Sequence, residues 1–325
     1  MPKVSVIIPV YNASAYIERC VRSLFEQTLD DIEYIFINDC SPDDSIDILN
    51  RVLADYPKRK VQTRIFEMST NSRLAAVRRA GIKLASGEYI IHCDSDDWVD
   101  THLYERMYKE AIRSNADIVI CPVRNEYKSG GKTKVLPYLP NSCQEVLENW
   151  FHNSIAMFTV NKLVKGTVYK ENDLLPFDGI NMWEDNGLFL RTFYYAKGLS
   201  TIDDAVYHYN RTNINAMTAG YGRDAVDQMI KCAGLIDSFF KSKPDGKRFE
   251  KTVLALKLFA RLNLITDNYV GLKEYESTYS ESNTILSEIG LKAFSLKGKI
   301  RFLFVKYHLA WLFVTLFKLK NVLLK

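Results

Sequence analysis

In the N-terminal third of the chain, short apolar runs alternate with stretches of helical spacing, and this alternation restricts the fold more than any other feature. The runs are Val4 to Val10, Ile32 to Ile37, Val61 to Phe66 and Glu88 to Cys93. Between them, Tyr16, Ile17, Cys20, Val21, Leu24 and Phe25 recur with helical period within 15–27. Ile46, Leu49 and Leu53 mark a second helix and Leu74 to Ala85 a third. Strands alternating with helices of this length predict βαβ units and a mostly parallel sheet, an α/β fold. The pattern continues with a helix at Leu103 to Ser114 and a strand at Asp117 to Val123. A loop with Ser129, Gly130 and Gly131 and a mixed region from Phe158 to Tyr169 follow.

Parallel sheets present ligands at the carboxyl ends of their strands. Three polar groups fall there: Tyr11-Asn12, Asp39, and the run Asp94-Ser95-Asp96-Asp97. Closely spaced carboxylates at a strand end supply hard oxygen ligands suited to Mg²⁺ or Mn²⁺ holding a phosphate. A solvated acidic turn is the alternative for an isolated triplet of this kind. Further on, Leu188, Phe189, Thr192 and Phe193 form a helical stripe whose N-terminal end carries Trp183-Glu184-Asp185. Acids there also suit simple capping of the helix dipole.

With 325 residues, 47% of them hydrophobic, the chain is long enough for one large domain and an appendage. A net charge of +4 does not mark a nucleic-acid binder, but its distribution is uneven. No Asp or Glu follows Glu288, whereas eight Lys or Arg do. The six cysteines form no CxxC pair and no Cys/His group, which fits reduced thiols rather than structural zinc. The N-terminus enters a strand at once, without the apolar core of a signal peptide, so the expected location is cytoplasmic.

From residue 221 the pattern is helical, with apolar-periodic stretches at 225–240 and 250–268. Residues 290–325 interleave Lys292, Lys297, Lys299, Arg301, Lys306, Lys318 and Lys320 with Phe294, Phe302, Phe304, Tyr307, Trp311, Phe313 and Phe317. The longest uncharged stretch, Tyr307 to Phe317, is shorter than the ~20 residues that span a bilayer. A basic amphipathic helix is expected, lying on an anionic membrane or packing on the core or a partner. The expected division is 1–220, a helical extension 221–290, and a tail 291–325.

The order of these elements resembles the inverting, GT-A-fold glycosyltransferases of family 2. The matching segments are Val4 to Asn12, Ile37 to Ser45, Ala76 to Gly81, Ala85 to Trp98, Trp183 to Phe189 and Val206 to Arg211, and the resemblance covers roughly residues 1–220. It implies a nucleotide-sugar donor, with UDP preferred, and Mn²⁺ or Mg²⁺ as cofactor. Asp39 would accept the imide N–H of the base, and Pro9, Val10 and Tyr11 would hold it. Arg78 would brace the diphosphate or the carboxylates. Asp96 would bind the metal, and Asp94 would lie by the ribose or the metal. His208 stands where some relatives supply a further metal ligand. Asp185 would be the base that deprotonates the acceptor. Glu184 would orient the donor sugar or the helix end, and Trp183 would stack on a sugar ring. Asn38, Cys40, Arg73 and Arg79 depart from the family pattern; Cys40 and Arg73 stand where glycine is usual.

A sugar-nucleotide pyrophosphorylase would need a Gly-rich loop after the first strand, where this chain has Pro9-Val10-Tyr11-Asn12. An aspartyl-nucleophile phosphatase would carry its acid pair after the first strand rather than the fourth. A non-catalytic sugar-nucleotide-binding scaffold has no reason to keep Asp94, Asp96 and Asp185 together. The expectation is therefore an enzyme acting on a glycan or lipid-linked acceptor, reached through the tail at a membrane. Whether it forms a homo-oligomer is left open.

Overall fold

Nearly every position of the first strand, β1 (Val4–Val10), is apolar because both of its faces are covered. The computed structural model describes residues 1–128, 132–135, 142–153, 157–213, 222–266, 269–291 and 296–323. The expected Ser129–Gly131 loop and the side chains of Lys292 and Phe294 lie outside them. The chain divides into two compact units, residues 1–143 with 156–216 and residues 144–155 with 217–325.

In the first unit, β1 leads through α1 (Ile17–Phe25) to β2 (Ile32–Asn38). The chain continues through α2 (Ser45–Ala54) and the single turn α3 (Pro57–Lys60) to β3 (Thr63–Glu67). Then come α4 (Arg73–Leu84), β4 (Tyr89–His92), β5 (Trp98–Val99), α5 (Leu103–Ser114), β6 (Ile118–Ile120), β7 (Val123–Glu126) and β8 (Lys132–Val135). After α6 (Cys143–Asn153), the unit resumes with β9 (Lys162–Lys165), α7 (Gly166–Glu171), α8 (Glu184–Tyr195), β10 (Leu199–Thr201) and β11 (Tyr207–Asn210).

A seven-stranded sheet has the order β10-β6-β9-β4-β1-β2-β3. Its pairs are parallel except where β9 runs against β4 and β6. A smaller sheet, β5-β11-β7-β8, carries Trp98, Glu126 and His208. The strand expected over Asp117 to Val123 is thus two strands in two sheets. Pro122, which has no N–H for a ladder, lies between them.

Register brings the strand ends together. Val10 pairs with Asn38, and β4 ends at His92 opposite Ile7, so the Asp94 run leaves the sheet close to where β1 and β2 end. Helix α4 lies tight on β1 at Gly81, where an added Cβ would come within 2.3 Å of Ile7 Cγ2. That glycine is needed for close approach, not for an unusual φ.

In the second unit, α6 is tied to the C-terminal helices by its own side chains. The Thr252 hydroxyl donates to the Leu147 carbonyl, Arg248 pairs with Glu148, and Trp150 meets Phe259 edge-on at 5.5 Å. This differs from the expected division, which left residues 144–155 with the first unit. The long helices are α9 (Arg223–Lys241) and α10 (Glu250–Leu262). The hairpin β12 (Ile265–Thr266) and β13 (Tyr269–Val270) and helix α11 (Leu272–Ser277) follow. The expected tail helix is a pair, α12 (Leu296–Lys306) and α13 (Ala310–Leu323), broken at His308, whose φ is 59°. Among the described residues, no helix is long and apolar enough to cross a membrane.

Candidate active site

The Asp39 carboxylate closes the loop after β2. Its two oxygens accept the backbone N–H groups of Ser72 (2.7 Å) and Arg73 (2.8 Å) and so cap the start of α4 from outside the helix. The Asp39 N–H donates to the Val10 carbonyl at 2.9 Å, which sets the Pro9–Tyr11 loop beside it, with Tyr11 52% exposed. Each carboxylate oxygen keeps a second lone pair, so this capping leaves room for a further donor.

Arg73 and Cys40 hold left-handed φ of 67° and 56°. The backbone conformation that glycine adopts without strain therefore persists here in residues that have side chains. Asn12 (50°) and Trp183 (70°) do the same in neighbouring loops. Non-glycine residues in this region are a cost that folds tend to carry near functional sites.

Arg78 is the centre of the site. Only 3% exposed, it donates from Nη2 to Asp94 Oδ1 at 2.7 Å and from Nη1 to Thr159 Oγ1 at 3.1 Å, and Nη1 also contacts Glu184 Oε1 closely. Helix α8 is brought to α4 by Asn181, whose Oδ1 accepts the Ala75 N–H at 3.0 Å. Arg79 Nη1 helps by donating to the Pro176 carbonyl at 2.8 Å. One guanidinium faces the carboxylates of Asp94, Glu184 and Asp185. Burial, only partly countered by Arg78 and reinforced by Asp185 and Asp94, pushes Glu184 above the usual carboxylate range.

The three acids of the strand-end run have different surroundings. Asp97 is 1% exposed and turned inward, accepting Tyr207 Oη–H at 2.6 Å and the Asn210 N–H at 2.7 Å. Asp96 is half-buried, and its Oδ2 accepts Asn213 Nδ2–H at 2.7 Å. Burial, then the Asp94 charge, raises the Asp96 pKa. Hard oxygens crowded against too little positive charge form a donor set that fits a divalent cation. Among the described residues, no group of three or more His, Cys, Asp or Glu is arranged to hold a metal.

His208, expected as a further metal ligand, lies among carboxylates. Its Nδ1 lies 2.8 Å from Glu126 Oε1, its Nε2 2.9 Å from Asp100 Oδ1, and its ring stacks on Trp98 at 5.0 Å. Pairing with β5 and β7 sets both ring nitrogens within hydrogen-bond reach of carboxylates. The Arg19 guanidinium also lies over the Trp98 ring, 3.3 Å from its centroid.

Asp185, in the first turn of α8, is half-buried. Its Oδ1 accepts the Asn186 N–H at 2.7 Å and lies 3.1 Å from Asn186 Nδ2. Trp183, in left-handed conformation just before the helix, is half-buried, and its carbonyl accepts the Gly187 N–H at 2.9 Å.

The model of glycosyl transferase family 2 matches residues 5–170, the stretch that carries six of the seven strands of the larger sheet, the Asp39 loop, α4 and the strand-end carboxylates. The chain belongs to that family. It is a glycosyltransferase of GT-A fold. It is 32% identical over 238 residues to the uncharacterized glycosyltransferase EpsJ of Bacillus subtilis, a match spanning 71% of this chain and 67% of EpsJ. S. aureus TarS 1–349, solved in complex with UDP-GlcNAc, superimposes with a TM-score of 0.67 at 17% identity, covering 98% of this chain and 91% of that one. The mannosyltransferase PcManGT of Pyrobaculum calidifontis, solved with GDP-Man and Mn²⁺, gives 0.54 at 15% identity, covering 99% and 87%.

Two members of this family 2 site were not anticipated from the sequence. Asn213 contacts Asp96, and Thr159 contacts Arg78. Neither sits in a periodic pattern or a motif, so only the fold shows that they belong to the site.

Proposed function

We propose that the chain is a metal-dependent inverting glycosyltransferase that uses a UDP-sugar. One observation carries the reading: Arg78 bridges Asp94, at the end of β4, to Glu184, in the turn that also bears Asp185. The donor diphosphate would lie at Asp94 and Asp96 with its base at Tyr11 and Asp39. The acceptor would approach from the Asp185 side. Its hydroxyl oxygen forms the bond to the anomeric carbon as the bond from that carbon to the diphosphate breaks. The proton passes to Asp185 and the electron pair leaves with the nucleoside diphosphate. Mn²⁺ or Mg²⁺, held by Asp96 and Asp94, would supply charge neutralisation of the departing diphosphate. Glu184 fixes Arg78, and Trp183 offers a ring face to a sugar.

Uridine is favoured because Asp39 can accept the imide N–H, and because the similar TarS structure holds UDP-GlcNAc. Calorimetric titration of UDP, GDP and dTDP, with and without Mn²⁺, is expected to give the tightest binding for UDP with Mn²⁺. Asp96→Ala should lose the Mn²⁺-dependent part. Equal binding of all three nucleotides, unaffected by Mn²⁺ or by Asp96→Ala, would remove both the donor and the metal assignment.

The acceptor is proposed to be a glycan or lipid-linked oligosaccharide at the cytoplasmic face of the membrane, in surface-polysaccharide synthesis. The support is the acid-free tail. In α12 and α13, Phe302, Val305 and Val314 are buried, while Leu296 (76%) and Trp311 (54%), and Tyr307 (67%) between the helices, are exposed among basic residues. Such a surface suits anionic lipid. Protein comprising residues 1–325 is expected to sediment with phosphatidylglycerol vesicles at low salt and to be released by high salt. Deletion of 291–325 should leave it in the supernatant. Equal sedimentation of both forms would end this part of the proposal.

A further inference from the structure

The turn that follows β1 is held by side chains of the loop that follows β2. The backbone N–H groups of three consecutive residues, Asn12, Ala13 and Ser14, donate to Ser41 Oγ at 2.8 Å, to Ser45 Oγ at 3.0 Å and to Asp43 Oδ2 at 2.8 Å. Both hydroxyls are turned onto the same acid, Ser41 donating to Asp43 Oδ1 at 2.6 Å and Ser45 at 2.5 Å. Asp43 therefore stands behind all three contacts, two of them through a serine. Its Oδ1 also accepts the Ser45 N–H at 3.2 Å, a local contact that opens α2. Starting a helix does not require the reach to Ser14, 29 residues earlier. Burial works against the Asp43 charge, yet hydrogen bonds from Ser41, Ser45 and Ser14 hold its carboxyl well below the ordinary aspartate range.

The three N–H groups belong to the turn directly after Tyr11, in which Asn12 holds its left-handed φ of 50°. The loop that grips them begins at Asp39, and Asn38 Oδ1 braces it by accepting the Ser41 N–H at 2.8 Å. Tyr11 and Asp39 are thus tied to each other twice, through the bond from the Asp39 N–H to the Val10 carbonyl and through Asp43 with its two serines.

We propose that Asp43 is a positioning residue for the nucleotide base, holding the turn after Tyr11 against the loop after Asp39 so that the base meets both at a fixed spacing. The inference rests on the placement of the base at Tyr11 and Asp39 made above. Every partner of Asp43 donates to it: Oδ1 takes two hydroxyls and an N–H, and Oδ2 takes the Ser14 N–H. Asparagine has the same size but offers one acceptor oxygen and one amino group, so it gives up either Ser14 or the serine side of the clasp. The loss should fall on the base and spare the metal-bound diphosphate.

The test separates base from phosphate. Calorimetry in the presence of Mn²⁺ compares UDP with inorganic pyrophosphate in wild type, Asp43→Asn and Ser41→Ala. Asp43→Asn is expected to weaken UDP about tenfold, the worth of one hydrogen bond to a charged group, and to leave pyrophosphate unchanged. Unchanged UDP affinity, or an equal loss for UDP and pyrophosphate, would overturn the inference. If Asp43→Asn does not fold, Ser41→Ala, which releases the Asn12 N–H, should show the same selective loss at about threefold, and wild-type UDP affinity there would overturn the inference instead. Tyr11→Ala reads the base placement separately. Wild-type UDP affinity in Tyr11→Ala would remove that placement and this inference with it, whereas weakened UDP in Tyr11→Ala beside unchanged UDP in Asp43→Asn would remove only this one.

Discussion

Asp185→Asn is expected to lower turnover by about 10²- to 10⁴-fold while leaving nucleotide binding unchanged. The amide has the size of the carboxylate and can keep the contact to the Asn186 N–H, so the start of α8 should survive the change. It cannot take a proton. Oδ1 is held by Asn186, and no hydrogen bond to Oδ2 is present among the described residues, so one oxygen of the acid is available to an acceptor hydroxyl. Burial raises the Asp185 pKa, with the Asn186 N–H, Arg78 and Lys162 pulling it back. A base works only when ionised, so turnover should fall as pH drops through that pKa. The raised value places this acid limb above the range of an ordinary carboxylate. Rates measured from pH 5 to 9, with calorimetry of UDP binding in parallel, check both parts. Glu184→Gln provides the contrast. Glu184 is spent on Arg78, so its loss should weaken donor binding rather than remove the acid limb. If Asp185→Asn kept its rate and Glu184→Gln lost the limb, the two roles would have to be exchanged.

The framework was legible because it rests on local periodicity. A strand buried on both faces reads as a near-continuous apolar run, and Val4–Val10, broken only by Ser5, and Ile32–Asn38, broken by Glu33 and ended by Asn38, do so. Helix α5 appears over Leu103–Ser114 as its spacing predicts. What escaped depends on contacts distant in sequence. β9 lies in the mixed region because a four-residue antiparallel strand, Lys162–Lys165, with a charge at each end has no distinctive pattern. The assignment of residues 144–155 to the second unit depends on Thr252, Arg248 and Phe259, a hundred residues away. In the site, Asp94 and Asp96 stood out because their spacing at a strand end is itself the signal. Asn213 and Thr159 did not, since only the tertiary fold brings them to Asp96 and Arg78. The surroundings of His208 were hidden for a related reason. A Tyr-His-Tyr strand gives no sign that Glu126 and Asp100 will meet the ring from either side.

Arg78→Met is expected to destabilise the protein by ~3–5 kcal/mol, because it leaves Asp94 and Glu184 facing each other in a poorly solvated site without their shared cation. Burial opposes the guanidinium's charge, yet Asp94 and Glu184 more than compensate and hold its pKa above the ordinary arginine value. Methionine fills the volume but offers no donor to either acid or to Thr159. Urea unfolding of Arg78→Met, Glu184→Gln and the double variant separates lost packing from stranded charge. If stranded charge dominates, the double variant should recover part of the loss, with a coupling of ~1 kcal/mol or more. A double variant whose cost is the plain sum of the single changes would rule that account out. Arg78→Lys asks the functional question with the charge retained. A single ammonium on a flexible stem lacks the planar fork that engages Asp94 and Glu184 at once, so the variant should fold and yet bind UDP with Mn²⁺ more weakly. Wild-type affinity in Arg78→Lys would mean that charge alone orders Asp94, and the fork geometry would then have no part in holding the donor.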